Sequence, residues 1–394
     1  MSKVKQILYV TAEFPPCGGG GVGRSFTAVH HLAEAGFRVT VLCASENSYT
    51  FLDPSYPATH ENVEKVPVWT PELRHWIRRI KTRVTAFNPT DRFFLWRYFA
   101  ARKAALLHKQ HSFDLVISSY PFFSNHAVAY ELVKKADLPW IADYRDPPWW
   151  MYSAQHKVQP EFYEFSHRTT LNVVTTERSK QLLINKLSLS SDDVSVIANG
   201  CDILAAHIET SIPNGKHFEL LHTGSVYEEG RDINLLIEVV SQLSQSVRLR
   251  FVGDPPYQST KELLAKLEDT SFVEFSSYVP AAEALKQAAK TNVLVVIQGE
   301  IFENQVPGKV FEYLALQKTI LLISNEGSAT HQLLANEPNV IFAEYGNADS
   351  ILRGIEQAKS HSTVTVDRTR YTRLRLGEHF VALTNKILNS RNSK

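Results

Sequence analysis

The sequence predicts an α/β protein made of two Rossmann-like domains, each a doubly wound parallel sheet, facing a cleft. Three observations carry that reading. Short apolar runs alternate with amphipathic stretches of helical period along the chain. The alternation restarts after residues 209–217 (ETSIPNGKH), where proline, glycine and polar residues mark a linker. With 394 residues, 44% hydrophobic and 21% charged, the chain can bury two separate cores.

Each element has its own reason. Residues 5–10 (KQILYV) form a buried strand, followed by a glycine-rich loop and a helix, SFTAVHHLAEAG, closed by Gly36. Strands at 37–45, 113–119, 139–144, 171–176 and 194–199 follow, mostly with helical stretches between. Their apolar runs lack polar alternation, as expected of strands covered on both faces. After the linker, strands at 218–224, 247–253, 273–279, 292–298, 319–324 and 339–344 are expected. Helices are expected at 232–244, 261–267, 281–290 and 309–315, and over the last 30 residues. The expected division is 1–205, 206–365, and a C-terminal helix in 366–394 packing back on the first domain.

Composition narrows the function classes. Net charge is +1, so the chain as a whole is no polyanion binder. Three dispersed cysteines with no CxxC pair argue against a zinc site or disulfide scaffold and fit a reducing compartment. The N-terminal apolar run is interrupted by Glu13 and is too short for a signal peptide, and no run reaches the length of a spanning helix. The expectation is a soluble cytoplasmic protein. One local patch stands out: residues 71–103 carry nine cations against two acids, interleaved with Trp76, Phe87, Phe93, Phe94, Trp96, Tyr98 and Phe99. That mixture suits an anionic membrane surface or, alternatively, a solvated face; no nucleic-acid motif accompanies it.

Ligands of doubly wound sheets bind beyond the carboxyl ends of the strands, so the residues after each strand are the candidates. Gly18, Gly20 and Gly23 formally satisfy GxGxxG, but the six residues 12–17 stand between the strand end and the first glycine, against a dinucleotide fingerprint. The glycines serve either a turn or the approach of amides to an anion. In VPGKVFEYLALQKTILLIS, Val306, Pro307 and Gly308 lead into a helix bearing Lys309 and, one turn on, Glu312. The pair is either a phosphate and ribose anchor or a surface ion pair. Asp143, Arg145 and Asp146 follow another strand, for internal salt bridges or acceptor binding.

These segments resemble, in order, the motifs of family-4 (glycosyltransferase group 1) retaining glycosyltransferases of the GT-B fold, such as bacterial polysaccharide enzymes. The glycine loop YVTAEFPPCGGGGVGR, the stretch SSYPFFSNHAVAYELVKKADLPWIADYRDP, VIANGCD, HTGSVYEEGRD, FVGDPP and PGKVFEYLA are the landmarks. The resemblance implies a metal-independent hexosyl- or N-acetylhexosaminyltransferase without a cofactor. A nucleotide-diphosphate sugar, expected to be a UDP-sugar, is its co-substrate, and a lipid-linked or polysaccharide acceptor its partner in cell-surface glycan synthesis. It further implies a peripheral position on the inner membrane face. By resemblance, Glu312 binds the nucleotide ribose and His126 contacts the donor sugar. Asn304 stands where the family has the first glutamate of E-x7-E; it can hydrogen-bond a sugar hydroxyl but supplies no charge. The arginine after the first C-domain strand is replaced by Ser225, leaving Arg231 and Lys309 as expected phosphate clamps. Gly224, Gly253 and Tyr278 complete the donor side. Gly20, Gly21, Gly23 and Arg145 form the acceptor-side loop. The rivals are a nucleotide-sugar epimerase of the same fold and a non-catalytic glycan- or membrane-associated binding protein.

Overall fold

The computed structural model describes residues 4–392 apart from 19–20, 51, 55, 71–90, 147, 149–156, 159, 203–206 and 212–214. It divides into two units: residues 1–199 with 373–394, and residues 200–372.

The first unit opens with β1 (Gln6–Val10), α1 (Val22–Glu34), β2 (Arg38–Ala44) and β3 (Val63–Val68). It continues with α2 (Trp96–His111), β4 (Leu115–Ser119), α3 (Phe123–Val133), β5 (Trp140–Tyr144) and α4 (Pro160–Arg168). β6 (Leu171–Val174), α5 (Glu177–Leu187), β7 (Val194–Val196) and the returning α12 (Leu374–Asn392) complete it. The seven strands run parallel in the order β3-β2-β1-β4-β5-β6-β7, with Ile7 opposite Val39 on one side and Leu115 on the other. The period of two explains the apolar runs. Leu8 and Val10 enter a core under α2, α3 and α4, while Ile7 and Tyr9 enter another with α1 and with Leu376 and Phe380 of α12. β3 is a strand that the sequence reading omits. Its Glu64, Lys65 and Pro67 hide it, and an edge strand tolerates both charge and proline. β7 is shorter than the predicted 194–199; beyond it the Ile197 amide still donates to the Val174 carbonyl at 2.9 Å, while its carbonyl accepts from Arg24 at 3.0 Å.

The second unit begins with β8 (Phe218–Gly224), α6 (Asn234–Ser241), β9 (Val247–Gly253), α7 (Gln258–Leu264), β10 (Val273–Ser277) and α8 (Ala281–Ala289). β11 (Val293–Gln298), α9 (Gly308–Ala315), β12 (Thr319–Ser324), α10 (Ala329–Leu334), β13 (Val340–Glu344) and α11 (Ala348–Ser360) follow. Its six parallel strands are ordered β10-β9-β8-β11-β12-β13. Val293, Val295 and Ile297 face one core, Leu294 and Val296 the other. α6 starts later than predicted because Asp232 accepts the Asn234 amide at 2.9 Å, a turn that precedes the helix.

Candidate functional site

Strand order reverses between β8 and β11, and the crevice beyond the carboxyl ends at such a point is where ligands bind. β8 ends in His222, Thr223 and Gly224. α9 opens at Gly308, behind Pro307, with no side chain capping its first turn. Such a turn presents amides and the positive end of the helix dipole to an anion. Lys309 joins the two elements: its Nζ donates to the Thr223 carbonyl at 2.5 Å and lies 2.9 Å from His222 Nε2. His222 Nδ1 faces the Val295 carbonyl at 3.1 Å, so Nδ1 carries the proton and Nε2 accepts from the ammonium. Burial, then the charges of Lys309 and Arg231, holds His222 well below the ordinary imidazole range. Burial pushes the Lys309 ammonium down to about 7, with Arg231 adding to the effect and Glu312 and Asp254 opposing it.

The neighbours fix this geometry. The Tyr313 hydroxyl accepts the Thr223 amide at 3.0 Å and pairs with Thr223 Oγ1 at 2.8 Å, pinning the end of β8 to α9. Glu312 is half-buried beside Lys309. The Arg231 guanidinium lies over the Phe302 ring at 4.4 Å and the Tyr227 ring at 5.2 Å. Gly253 has φ +145°, and a Cβ there would meet the Gly224 carbonyl oxygen at 2.8 Å, so only glycine lets β9 close on β8. Buried Gln298 clips the loop after β11 by donating to the carbonyls of Phe302 and Gln305 at 2.5 and 2.7 Å. Asn304 sits half-buried in that clipped loop. Adjacent Glu303 is committed elsewhere: its carboxylate accepts from Asn325 at 2.9 Å and its carbonyl from the Ala329 amide at 2.7 Å. Val306 packs on the core, and Tyr278, 74% exposed, lies just past β10. The structure thus gathers Gly224, Arg231, Lys309 and Glu312. His222, Tyr313 and Gln298 escaped the sequence reading; the one available signal was their position at strand ends or inside the PGKVFEY motif.

The first unit is arranged differently. Gly20 lies outside the described residues. Gly21 precedes α1 beneath Arg145, whose Nη1 would lie 0.6 Å from a Cβ at that position. Arg145 Nε donates to the Tyr120 carbonyl at 2.6 Å, with Asp146 at 3.8 Å. A Cβ on buried Gly23 would lie 2.8 Å from the Arg373 guanidinium carbon. Beneath them, Arg24 and Asp143 form a fully buried pair at 2.7 Å. Arg24 also donates to Asn199 Oδ1 at 3.0 Å, and Ser119 donates to Asp143 at 3.2 Å. Asp143 is therefore an internal ion-pair partner.

His126, expected to contact the donor sugar, lies inside the first unit. The residue is 0% exposed, enclosed by Tyr120, Trp140 and Tyr144. Its Nδ1 lies 2.7 Å from Ser118 Oγ, which accepts from Trp140 Nε1 at 2.8 Å. Burial pushes its pKa down to about 3. The imidazole is held neutral, and its buried Nε2 has no hydrogen-bond partner among the described residues.

The basic aromatic segment is only partly described, since residues 71–90 lie outside the described ones. Phe93 and Trp96 prove to be core residues, and Arg92 pairs with Glu13 while stacking on Phe93. Tyr98 and Phe99 remain exposed, with Trp69 edge-on to Phe99 at 5.6 Å. Among the described residues no helix is long and apolar enough to cross a membrane, and no group of three or more His, Cys, Asp or Glu residues could hold a metal ion.

Two doubly wound parallel sheets, one with a cation-bearing helix start at its switch point, define an α/β class of paired Rossmann-like domains. Residues 19–203 match Glycosyltransferase Family 4 and residues 217–360 match Glycosyl transferases group 1; the chain belongs to these GT-B glycosyltransferases. Sucrose-phosphate synthase from Thermosynechococcus elongatus superposes with a TM-score of 0.73 at 13% identity, covering 98% of this chain and 100% of that one. The lipopolysaccharide outer core galactosyltransferase WaaB gives 0.65 at 14%, covering 98% and 99%. HepE from Anabaena, solved with UDP and glucose, gives 0.64 at 14%, covering 97% and 100%. At these identities the likeness is one of fold. A search of curated protein sequences found no match.

Proposed function

We propose that the chain is a retaining glycosyltransferase that moves a hexosyl or N-acetylhexosaminyl group from a UDP-sugar to a lipid-linked or polysaccharide acceptor in cell-surface glycan synthesis. The C-terminal unit takes the donor and the N-terminal unit the acceptor. The observation that carries this reading is Lys309, held by His222 and the Thr223 carbonyl at the uncapped start of α9, with Arg231 and Glu312 beside it. HepE, of the same fold, was solved with UDP and glucose, which supports the choice of base.

The chain's residues would act as follows. The amides of the first turn of α9 and Lys309 receive the diphosphate, and Arg231 adds a second cation. Glu312 accepts hydrogen bonds from the ribose diol. The bond between the anomeric carbon and the phosphate oxygen breaks, and these cations hold the charge that develops on the leaving diphosphate. The acceptor oxygen attacks from the same face, and its proton passes to the departing phosphate oxygen. This charge account needs no metal: EDTA should leave the rate unchanged, and a loss restored by Mg²⁺ would contradict it.

A thermal-shift panel of UDP, GDP, dTDP and their sugars tests the donor assignment; a ligand at 100 times its Kd adds about 2.7 kcal/mol. Incubating the donor alone separates the readings. Slow hydrolysis marks a transferase, a second sugar epimer marks an epimerase, and no cleavage marks a binding protein, the reading that Asn304 and Ser225 favour.

The location proposed is peripheral, on the cytoplasmic face of an anionic membrane. Exposed Tyr98, Phe99 and Trp69, with Arg102 and Lys103 on α2, support it. Co-sedimentation with anionic liposomes at low salt, lost at high salt, is the expected result; absence of binding at low salt would leave a soluble acceptor.

A further inference from the structure

A second polar cavity of the C-terminal unit lies at the opposite end of its sheet from Lys309. β12 has six residues, so the two ends stand about 20 Å apart. The cavity measures about 520 Å³ and is lined by the starts of β8 and β12, the end of α11 and the turn after it. Lys318, Lys359 and His361 among its lining residues bring nitrogen donors. Thr210, Ser211, Ser362 and Thr363 add hydroxyls, and none of the described lining residues is acidic.

Lys318 is the feature that packing alone leaves unexplained. It is 5% exposed. Its Nζ donates to the Ser211 carbonyl at 2.8 Å, which uses one of its three N–H groups. Burial pushes its pKa down to about 8. A buried ammonium without a paired carboxylate is costly unless something supplies the counter-charge. Lys359 is attached differently: it pairs with Glu356 on its own helix at 2.7 Å and is half-buried at the rim. The carbonyl ends of α9 and α11 also point toward this end of the sheet and account for part of the preference for cations there.

We propose that this cavity is a second binding site of the C-terminal unit, for a small phosphate-bearing molecule, with Lys318 as its buried anchor and Lys359 and His361 at its rim. The proposal is independent of the donor assignment. A phosphate monoester matches the lining: its anionic oxygens can take the two remaining Lys318 donors and the hydroxyls, and Phe218 offers an apolar wall to the attached group.

The test is calorimetry and phosphorus NMR with inorganic phosphate and with glucose 1-phosphate. It is run on the wild-type chain, on Lys318→Met and on Lys309→Met. Saturable binding below ~10 mM is expected for the wild type. It should persist in Lys309→Met, which disables the nucleotide site, and weaken at least about tenfold in Lys318→Met. UDP affinity should be unchanged in Lys318→Met. If Lys318→Met fails to fold, the rim double variant Lys359→Gln/His361→Gln carries the same comparison, with a several-fold loss expected. No saturation below ~10 mM, or affinity unchanged in Lys318→Met and in the rim double variant, would overturn the proposal and leave Lys318 as a cap for helix carbonyls. Loss in Lys309→Met alone would also overturn it, placing the anion in the nucleotide site.

Discussion

The carboxyl ends of the two sheets are built from the same topology and hold their charges in opposite ways. In the first unit, Arg24 and Asp143 neutralise each other out of contact with water, and His126 is a neutral ring in an aromatic shell. In the second unit, Lys309 has a carbonyl and a neutral imidazole as hydrogen-bond partners, and Arg231 rests on aromatic faces. A buried pair that satisfies itself fixes a structure. Lys309, bonded to a carbonyl and an imidazole rather than paired with a carboxylate, holds its proton loosely, and an anionic ligand would restore its charge.

The sharpest break of this contrast is in stability. Asp143→Ala strands the Arg24 guanidinium and should cost about 3–5 kcal/mol. Lys309→Met removes hydrogen bonds to two neutral acceptors and should cost less, about 1–2 kcal/mol. Urea unfolding of both variants checks the pair of values; equal losses would erase the distinction.

Glu312→Ala should cost ~2–4 kcal/mol of nucleotide binding, because it leaves ribose hydroxyls unpaired. Unchanged affinity by calorimetry in the folded variant would remove Glu312 from the site. Asp143→Asn, by contrast, should leave nucleotide affinity of the folded fraction unaltered.

His126 supplies an acid-stability signal. Its folded pKa is about 3 against an unfolded value of about 6.5, so the unfolded chain binds a proton that the folded chain refuses. Its contribution is complete above pH ~6.5 and is lost as pH falls toward 3, by up to about tenfold in the folding constant per pH unit. His126→Phe should flatten that part of the stability profile. A reduced turnover with an unchanged profile would place the ring in the chemistry after all.

Lys309 works in the other pH direction. Its free-state pKa is about 7, and the protonated form is the one a diphosphate selects. UDP affinity should therefore decline as pH rises from 7 to 9, at most about tenfold per unit. Lys309→Arg stays charged and should flatten the decline.

The two ends also differ in how legible they were. The alternation of apolar runs and helices announced both sheets, and the PGKVFEY motif announced Lys309 and Glu312, because local sequence and local geometry coincide at a helix start. Arg24 and Asp143 are 119 positions apart, and only the β1–β4–β5 neighbourhood brings them together. His126 looked accessible because it follows a strand end; its place on the buried face of α3 is set by Trp140 and Tyr144 of the next strand, which sequence spacing does not reveal. β3 was hidden by its own charges at the sheet edge.

Lys309 at the start of α9, with Arg231 as a second cation, is proposed to hold the diphosphate of a nucleotide sugar. Calorimetry of UDP and of uridine with the wild type and with Lys309→Met tests it most directly. UDP should bind more tightly than uridine to the wild type, and Lys309→Met should lose about 1.5–3 kcal/mol for UDP while uridine affinity stays the same. Equal UDP affinity in wild type and folded Lys309→Met would contradict it.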